Sequence, residues 1–247
     1  MRVNQCRVSK SVQTFKSEYL KKFNLIDAFD THNPVLIIGM YDDNDYKAFQ
    51  RFKGKIIVLW CGTDTLMINP VRLNILKSKI AIHVVKSRCQ SIDLTKLNIP
   101  NKIVPVSWQS FSINPVPRGT KIYHYGIGSA YGEHLLPEIE RRTGLEIIKT
   151  THNTYKRDKL FEIYKECFIG LRLTKHDGLP NTVIELGMMG RRCIYNGDLP
   201  NAITWNNVND VVNSILHEYE NRSLPDLWNI SNAVKEHIDI NDNWLNV

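Results

Sequence analysis

Residues 175–185 concentrate side chains able to hold an anion and a polyol. Lys175-His176-Asp177-Gly178-Leu179-Pro180-Asn181-Thr182 runs into Val183-Ile184-Glu185, so a cation, two carboxylates, an amide and a hydroxyl share one short stretch. Gly178 permits close backbone approach and Pro180 stiffens the loop. Asn181 and Thr182 offer donors at an expected helix start, where first-turn N–H groups lack intrahelical partners and the dipole favours negative charge. A diphosphate suits such a position. A second role is open to the same residues, because Thr182-x-x-Glu185 also has the spacing of a capping box, in which Glu185 bonds a backbone amide. Arg172, just upstream on an otherwise apolar strand, can reach a phosphate or sugar, or pair with a structural carboxylate.

The elements that must position these residues follow from hydrophobic patterning. Short apolar runs at 35–38, 56–60, 80–85 and 103–106 form one group, and runs at 121–125, 146–149, 168–173 and 192–195 form another. Amphipathic stretches separate them, which predicts βαβ units and parallel sheets covered by helices. Between the groups lies Ser-Ile-Asn-Pro-Val-Pro-Arg-Gly at 112–119, whose two prolines forbid a continued helix or central strand and mark a domain boundary. The second group opens with the strand 121–125, a turn through Gly126, Gly128 and Ser129, and a helix over 132–142, an opening suited to nucleotide binding. The strand 168–173 delivers the 175–180 loop to a helix start at the sheet's carboxyl edge, where α/β proteins bind ligands. Two further helices are expected at 208–220 and 225–238.

The order acidic, Gly, Leu, Pro, Asn, with Glu185 eight positions after Asp177, resembles the donor motif of family 4 glycosyltransferases, which have the GT-B fold. The resemblance is strong over 168–197 and extends weakly over most of 55–200. It implies an α/β protein of two Rossmann-like domains facing a cleft, with an abbreviated N-terminal domain. Residues 1–117 would form the acceptor-side domain and 118–225 the nucleotide-sugar donor domain. Residues 226–247 would form a helical segment placed to cross back to the first domain. The resemblance implies that Asp177 contacts the donor sugar and Glu185 the ribose hydroxyls, with Gly178, Leu179, Asn181 and Thr182 around phosphates and sugar. Asp177 stands where family enzymes more often carry Glu. Family enzymes also place an Arg and a Lys after the first donor-domain strand, and 126–132 has neither. Neutralising the leaving diphosphate then falls to Arg172, Lys175 or the amides of Gly128 and Ser129. Cys61-Gly62-Thr63-Asp64 resembles a His-Gly-Thr-Asp turn of some members, with Cys61 replacing His, which implies an acceptor-side lining. Asp64 has a second role open, as a cap for the following helix. The implied reaction moves a sugar from a nucleotide-diphosphate sugar to a hydroxyl of a glycan, glycoprotein or lipid-linked acceptor. It is retaining and metal-independent, with the nucleotide sugar as co-substrate and no resident cofactor.

Composition narrows the alternatives. A chain of 247 residues, 43% hydrophobic, can bury one large or two small α/β cores. Lys and Arg number 32 against 25 Asp and Glu, giving +7, which suits an anionic partner. The five cysteines are scattered, with no C-x-x-C, so neither a disulfide framework nor a zinc site is indicated and a reducing, cytoplasmic location is expected. No apolar run approaches the ~20 residues of a spanning helix, and the N-terminus lacks a signal-peptide core, so membrane contact is expected to be at most peripheral. Asp43-Asn44-Asp45 fits the metal-binding D-x-D of GT-A glycosyltransferases, but in a loop so rich in Asp it is expected to be a solvated turn. Trp205, Trp228 and Trp244 invite comparison with base-stacking platforms, but no nucleic-acid module accompanies them and no nucleic-acid partner is expected. His124 and His176 are the histidines placed as cleft candidates. The missing basic turn and Cys61 leave a second class open: a catalytically silent subunit that binds sugar nucleotide and regulates or anchors a partner enzyme.

Overall fold

The computed structural model describes residues 2–27, 30–107, 112–151, 155–223 and 226–246. The chain divides into two compact units. The first comprises Met1–Trp108, Asp177–Leu179 and Ile240–Val247. Its elements are β1 (Gln5–Val8), α1 (Lys16–Phe23), β2 (Val35–Ile38), α2 (Asp43–Arg51), β3 (Ile56–Leu59), α3 (Pro70–Lys77), β4 (Ile82–Val85), α4 (Arg88–Lys96) and β5 (Asn101–Ile103). The strands pair in parallel in sequential order β1-β2-β3-β4-β5. Alternate strand residues face opposite layers. Leu36, Ile38, Ile57 and Leu59 pack with Tyr19 and Phe23 of α1 and with Trp244 and Leu245. Val35, Ile37 and Val58 pack with Tyr46, Phe49, Leu76 and Leu94 from α2, α3 and α4. α2, α3 and α4 thus share one face of the sheet, while α1 with Trp244 and Leu245 covers the other.

Asp43-Asn44-Asp45 forms the first turn of α2. Asp42 is the N-cap, accepting the Asn44 and Asp45 amides at 2.8 and 3.1 Å, while Asp45 returns a bond to the Asp42 amide at 3.2 Å. Asp45 is buried and also accepts Ser9 Oγ at 2.7 Å, and Asp43 pairs with Arg72 at 2.9 Å. The D-x-D carboxylates thus hold a helix start and its neighbours. Among the described residues no three metal-ligating side chains cluster.

The second unit comprises Gln109–His176 and Pro180–Asp239. Its elements are β6 (Lys121–Tyr125), α5 (Leu136–Thr143), β7 (Ile147–Thr150), α6 (Arg157–Glu166), β8 (Cys167–Arg172), α7 (Asn181–Met188), β9 (Arg192–Tyr195), β10 (Ala202–Ile203), α8 (Val208–Glu220) and α9 (Leu227–Ile238). The sheet is parallel with order β10-β9-β8-β6-β7. The chain leaves β6 for β7 on one side and returns to β8 on the other, so the order reverses between β6 and β8 and creates a topological switch point. Ile122, Ile169 and Leu171 meet Leu136 and Ile139 of α5 and Val211, Val212 and Ile215 of α8. A Cβ on Gly170 would stand 2.5 Å from Leu186 Cδ1, so glycine there lets α7 seat directly on β8. Arg191 is wholly buried and donates to the carbonyls of Val116 at 2.8 Å, Pro117 at 2.7 Å, Cys167 at 3.2 Å and Met189. It clamps the proline-containing segment to the start of β8 and the end of α7, and this set of acceptors makes its burial tolerable.

These units differ from the division expected at residue 117. The first contiguous stretch ends at 108, and Asp177–Leu179 belongs to the first unit instead of the donor domain. Of 226–247, α9 lies with α7, where Ser231 Oγ donates to the Met188 carbonyl at 2.7 Å, and Ile240–Val247 lies in the first unit. The helix expected over 132–142 is interrupted: Gly132 adopts φ +73°, so short 3₁₀ turns precede α5. β5 ends where a strand over 103–106 was expected to begin.

Candidate functional site

The second sheet's switch point brings the end of β6 beside the end of β8. Gly126 and Gly128 adopt φ +113° and +88°, a region that favours glycine, and a Cβ on Gly126 would stand 2.3 Å from Tyr131 Cγ. Tyr131 therefore packs onto the turn. The Arg172 guanidinium sits 5.1 Å from the Tyr125 ring centroid and 4.8 Å from that of Tyr131. Two aromatic faces thus fix a cation at the carboxyl edge, beside the turn. His124 is fully buried beneath this turn and neither ring nitrogen has a hydrogen-bond partner. The Gly126 backbone lies close without meeting hydrogen-bond geometry, and burial chiefly, with Arg172 adding, holds the imidazole down at about 4. Thr174 Oγ1, past the end of β8, is likewise buried without a partner. The Gly128 amide, one of those expected to face phosphate, donates to Glu133 Oε2 at 2.6 Å. Lys175 is exposed.

At α7 the capping box does not form. The N-cap is Pro180, no side chain caps the helix, and Thr182 is already its second residue. Glu185 lies one turn inside, 4% exposed, accepting Tyr164 Oη at 3.1 Å and pairing with Arg157 at 3.0 Å. Tyr164 in turn meets Tyr123 edge to face at 4.8 Å. Asn181 and Thr182 are half-buried at the helix start. Arg157 and Tyr164 were not anticipated. They are two helical turns apart on α6, so their shared face was readable, but the carboxylate they meet was not.

The Cys61-Gly62-Thr63-Asp64 turn belongs to the first unit. Asp64 is fully buried and accepts the amides of Cys61 and Gly62 at 3.0 Å each and of Met40 at 3.2 Å. Burial raises its carboxyl above the usual range while these amides pull the other way. Asp64 therefore locks the turns after β2 and β3 together. It does not cap the 3₁₀ helix Thr63–Met67, whose N-cap is Gly62, and its carboxylate does not face solvent. The Asp177 carbonyl accepts Ser87 Oγ at 3.1 Å and Cys89 Sγ at 2.6 Å. A Cβ on Gly178 would stand 3.1 Å from the Cys61 carbonyl oxygen and 3.2 Å from Gly62 Cα, so the first unit brings Gly178 against this turn. The Asp177 carboxylate accepts the Gly178 amide at 2.8 Å, and Leu179 is half-buried. Lys86, also unanticipated, bonds the Tyr19 hydroxyl. Trp205 and Trp244 are buried while Trp228 is exposed, so they form no common stacking platform.

No protein-family model and no curated protein matches the sequence. Solved structures do match. Sucrose-phosphate synthase from Thermosynechococcus elongatus superposes with a TM-score of 0.62 at 12% identity, covering 95% of this chain and 74% of that one. TarM superposes with a TM-score of 0.61 at 14% identity, covering 92% of this chain and 55% of its own. A TarM mutant from S. aureus, in complex with Fondaparinux, alpha-GlcNAc-glycerol and UDP, gives 0.62 at 13% identity over 92% of this chain and 56% of its own. The chain thus spans about three quarters of the first of these proteins and little more than half of TarM. At such identities the likeness shows the fold, an α/β architecture of two Rossmann-like units of GT-B type.

Proposed function

We propose that this chain is a glycosyltransferase that moves a sugar from a nucleoside-diphosphate sugar to an acceptor hydroxyl, with retention and without a metal. The observation that carries this reading is the pairing of the Gly126–Gly128 turn with ring-bracketed Arg172 across the second sheet's switch point. In this reading the diphosphate lies between the turn and the start of α7, held by the amides of Asn181 and Thr182 and by Arg172, with Lys175 adding charge. Glu185 receives the ribose hydroxyls, and Arg157 and Tyr164 hold its carboxylate in place beforehand. Asp177 takes the sugar hydroxyls. As the bond from the anomeric carbon to the diphosphate breaks, Arg172 and the α7 dipole stabilise the departing negative charge. Gly128, Ser129, Gly178 and Leu179 shape the surface around phosphates and sugar. In the first unit the turn of Cys61, Gly62 and Thr63, kept in shape by Asp64, is the acceptor-side candidate for a glycan, glycoprotein or lipid-linked hydroxyl. The test is release of nucleoside diphosphate from a panel of UDP-, GDP- and ADP-sugars in excess EDTA. Release from at least one donor, undiminished by chelator, is expected. Activity lost to EDTA, restored by Mn²⁺ and abolished by Asp43→Ala would overturn metal independence.

A second reading, a silent sugar-nucleotide-binding subunit, is favoured by one observation: the Gly128 amide is occupied by Glu133 where family 4 resemblance implies a cationic turn. Tight binding of a nucleoside diphosphate, with no release from any donor, would select it.

A further inference from the structure

We propose that Glu133 is a built-in occupant of an anion seat at the Gly126–Gly128 turn, and that the donor diphosphate binds by displacing it. The proposal deepens the donor-site reading and rests on it for the identity of the ligand. Glu133 follows Gly132, whose left-handed φ of +73° turns the chain back toward the glycines, and its Oε2 accepts the Gly128 amide at 2.6 Å. No ion pair among the described residues compensates this carboxylate. A Cβ on Gly128 would meet nothing within 4 Å, so the turn is open on that side of the Glu133-bound amide.

Two further groups lie near the turn. Arg172 is fixed beside it between Tyr125 and Tyr131. His124 is fully buried under the turn, with neither ring nitrogen bonded and Glu133 and Arg172 among its nearest charges. A buried imidazole without partners carries a desolvation cost, so the packing under the turn holds unspent polar capacity. An amide on a glycine turn with a guanidinium nearby suits an anion, and the anion on the amide is the chain's own Glu133. One carboxylate offers a single charge, whereas a diphosphate brings more charge and also reaches the start of α7. Two anions do not share one amide without strong repulsion, so Glu133 must swing away when the diphosphate enters. Ligands with too little negative charge to displace it are disfavoured at this seat.

Titration calorimetry of the whole chain with UDP, GDP, ADP, their nucleosides and inorganic pyrophosphate tests this, comparing wild type with Glu133→Gln and Glu133→Ala. Both variants should bind nucleoside diphosphate and pyrophosphate about tenfold tighter, since removing one like charge is worth about 1.4 kcal/mol, and bind nucleosides as wild type does. Nucleoside diphosphates that bind all three proteins equally, or more weakly in the variants, overturn the displacement while leaving the donor site standing. Pyrophosphate that tightens in the variants while no nucleotide binds keeps the seat and overturns the donor reading. If neither pyrophosphate nor any nucleotide binds any of the three proteins, both fall.

Discussion

In the proposed donor site Asp177 takes the sugar and Glu185 the ribose, and substitutions should separate these roles. Glu185 accepts Tyr164 and Arg157 in a nearly buried setting. Glu185→Gln should weaken nucleoside diphosphate binding by about 1–3 kcal/mol, the loss expected for a charge-assisted hydrogen bond. Unchanged affinity in calorimetry with a lowered melting temperature would mark Glu185 as a purely structural partner of Arg157. Asp177→Asn should instead cut turnover far more than nucleotide affinity. A contact to the sugar strengthens as positive charge develops at the anomeric carbon, whereas diphosphate and ribose contacts hold donor and product alike. Wild-type transfer and donor hydrolysis in Asp177→Asn would show that this position was carried over wrongly. Both carboxylates stand out in the sequence because they sit in one contiguous motif. Glu133, Tyr125 and Tyr131 were not, because each acquires its role only when positive φ at Gly126, Gly128 and Gly132 folds the turn back on itself. The burial of Asp64 was hidden for a similar reason: one of the amides it binds, that of Met40, comes from another strand end.

At the scale of elements, the turn after β6 is the part most sensitive to a single methyl group. Gly126→Ala places a Cβ 2.3 Å from the Tyr131 ring at φ +113°. The strain, of order 1–3 kcal/mol, should push Tyr131 off Arg172. Reduced nucleotide affinity together with a lowered melting temperature is the expected outcome, and wild-type values for both would contradict this role for the turn. Arg191→Met tests the clamp on the second unit. It leaves the carbonyls of Val116, Pro117, Cys167 and Met189 without their shared donor, and should cost roughly 3 kcal/mol or more in chemical unfolding. Strands such as β2, β3 and β8 were readable as continuous apolar runs because both their faces are covered. β1, Gln-Cys-Arg-Val, was not, since Gln5 and Arg7 are spent on neighbouring carbonyls and Asp45 at the sheet's edge and break the apolar pattern. The placement of Asp177–Leu179 in the first unit was equally invisible, because the bonds that tie it there come from Ser87 and Cys89, far away in sequence.

At the scale of the whole molecule, two buried histidines, one in each sheet, couple stability to pH. His83, which accepts Trp60 Nε1 at 3.3 Å, and His124 are both held down at about 4 by burial. The unfolded chain protonates them near pH 6.5. Their contribution is therefore fully present above about 6.5 and is lost as pH falls toward 4. Urea unfolding at pH 7 and pH 5 should show reduced stability at the lower pH, and His83→Gln combined with His124→Asn should flatten that dependence. An equally steep dependence in the double variant would contradict it. The central claim is that the carboxyl edge of the second sheet binds a nucleoside diphosphate, and it is tested most directly by titrating the whole chain with UDP, GDP and ADP in wild type and Arg172→Gln. Donor binding at this edge predicts that at least one of the three binds wild type and is weakened about tenfold by Arg172→Gln, the loss of one charge-assisted contact of about 1.4 kcal/mol. Failure of all three to bind wild type, or binding indifferent to both Arg172→Gln and Glu185→Gln, would contradict it.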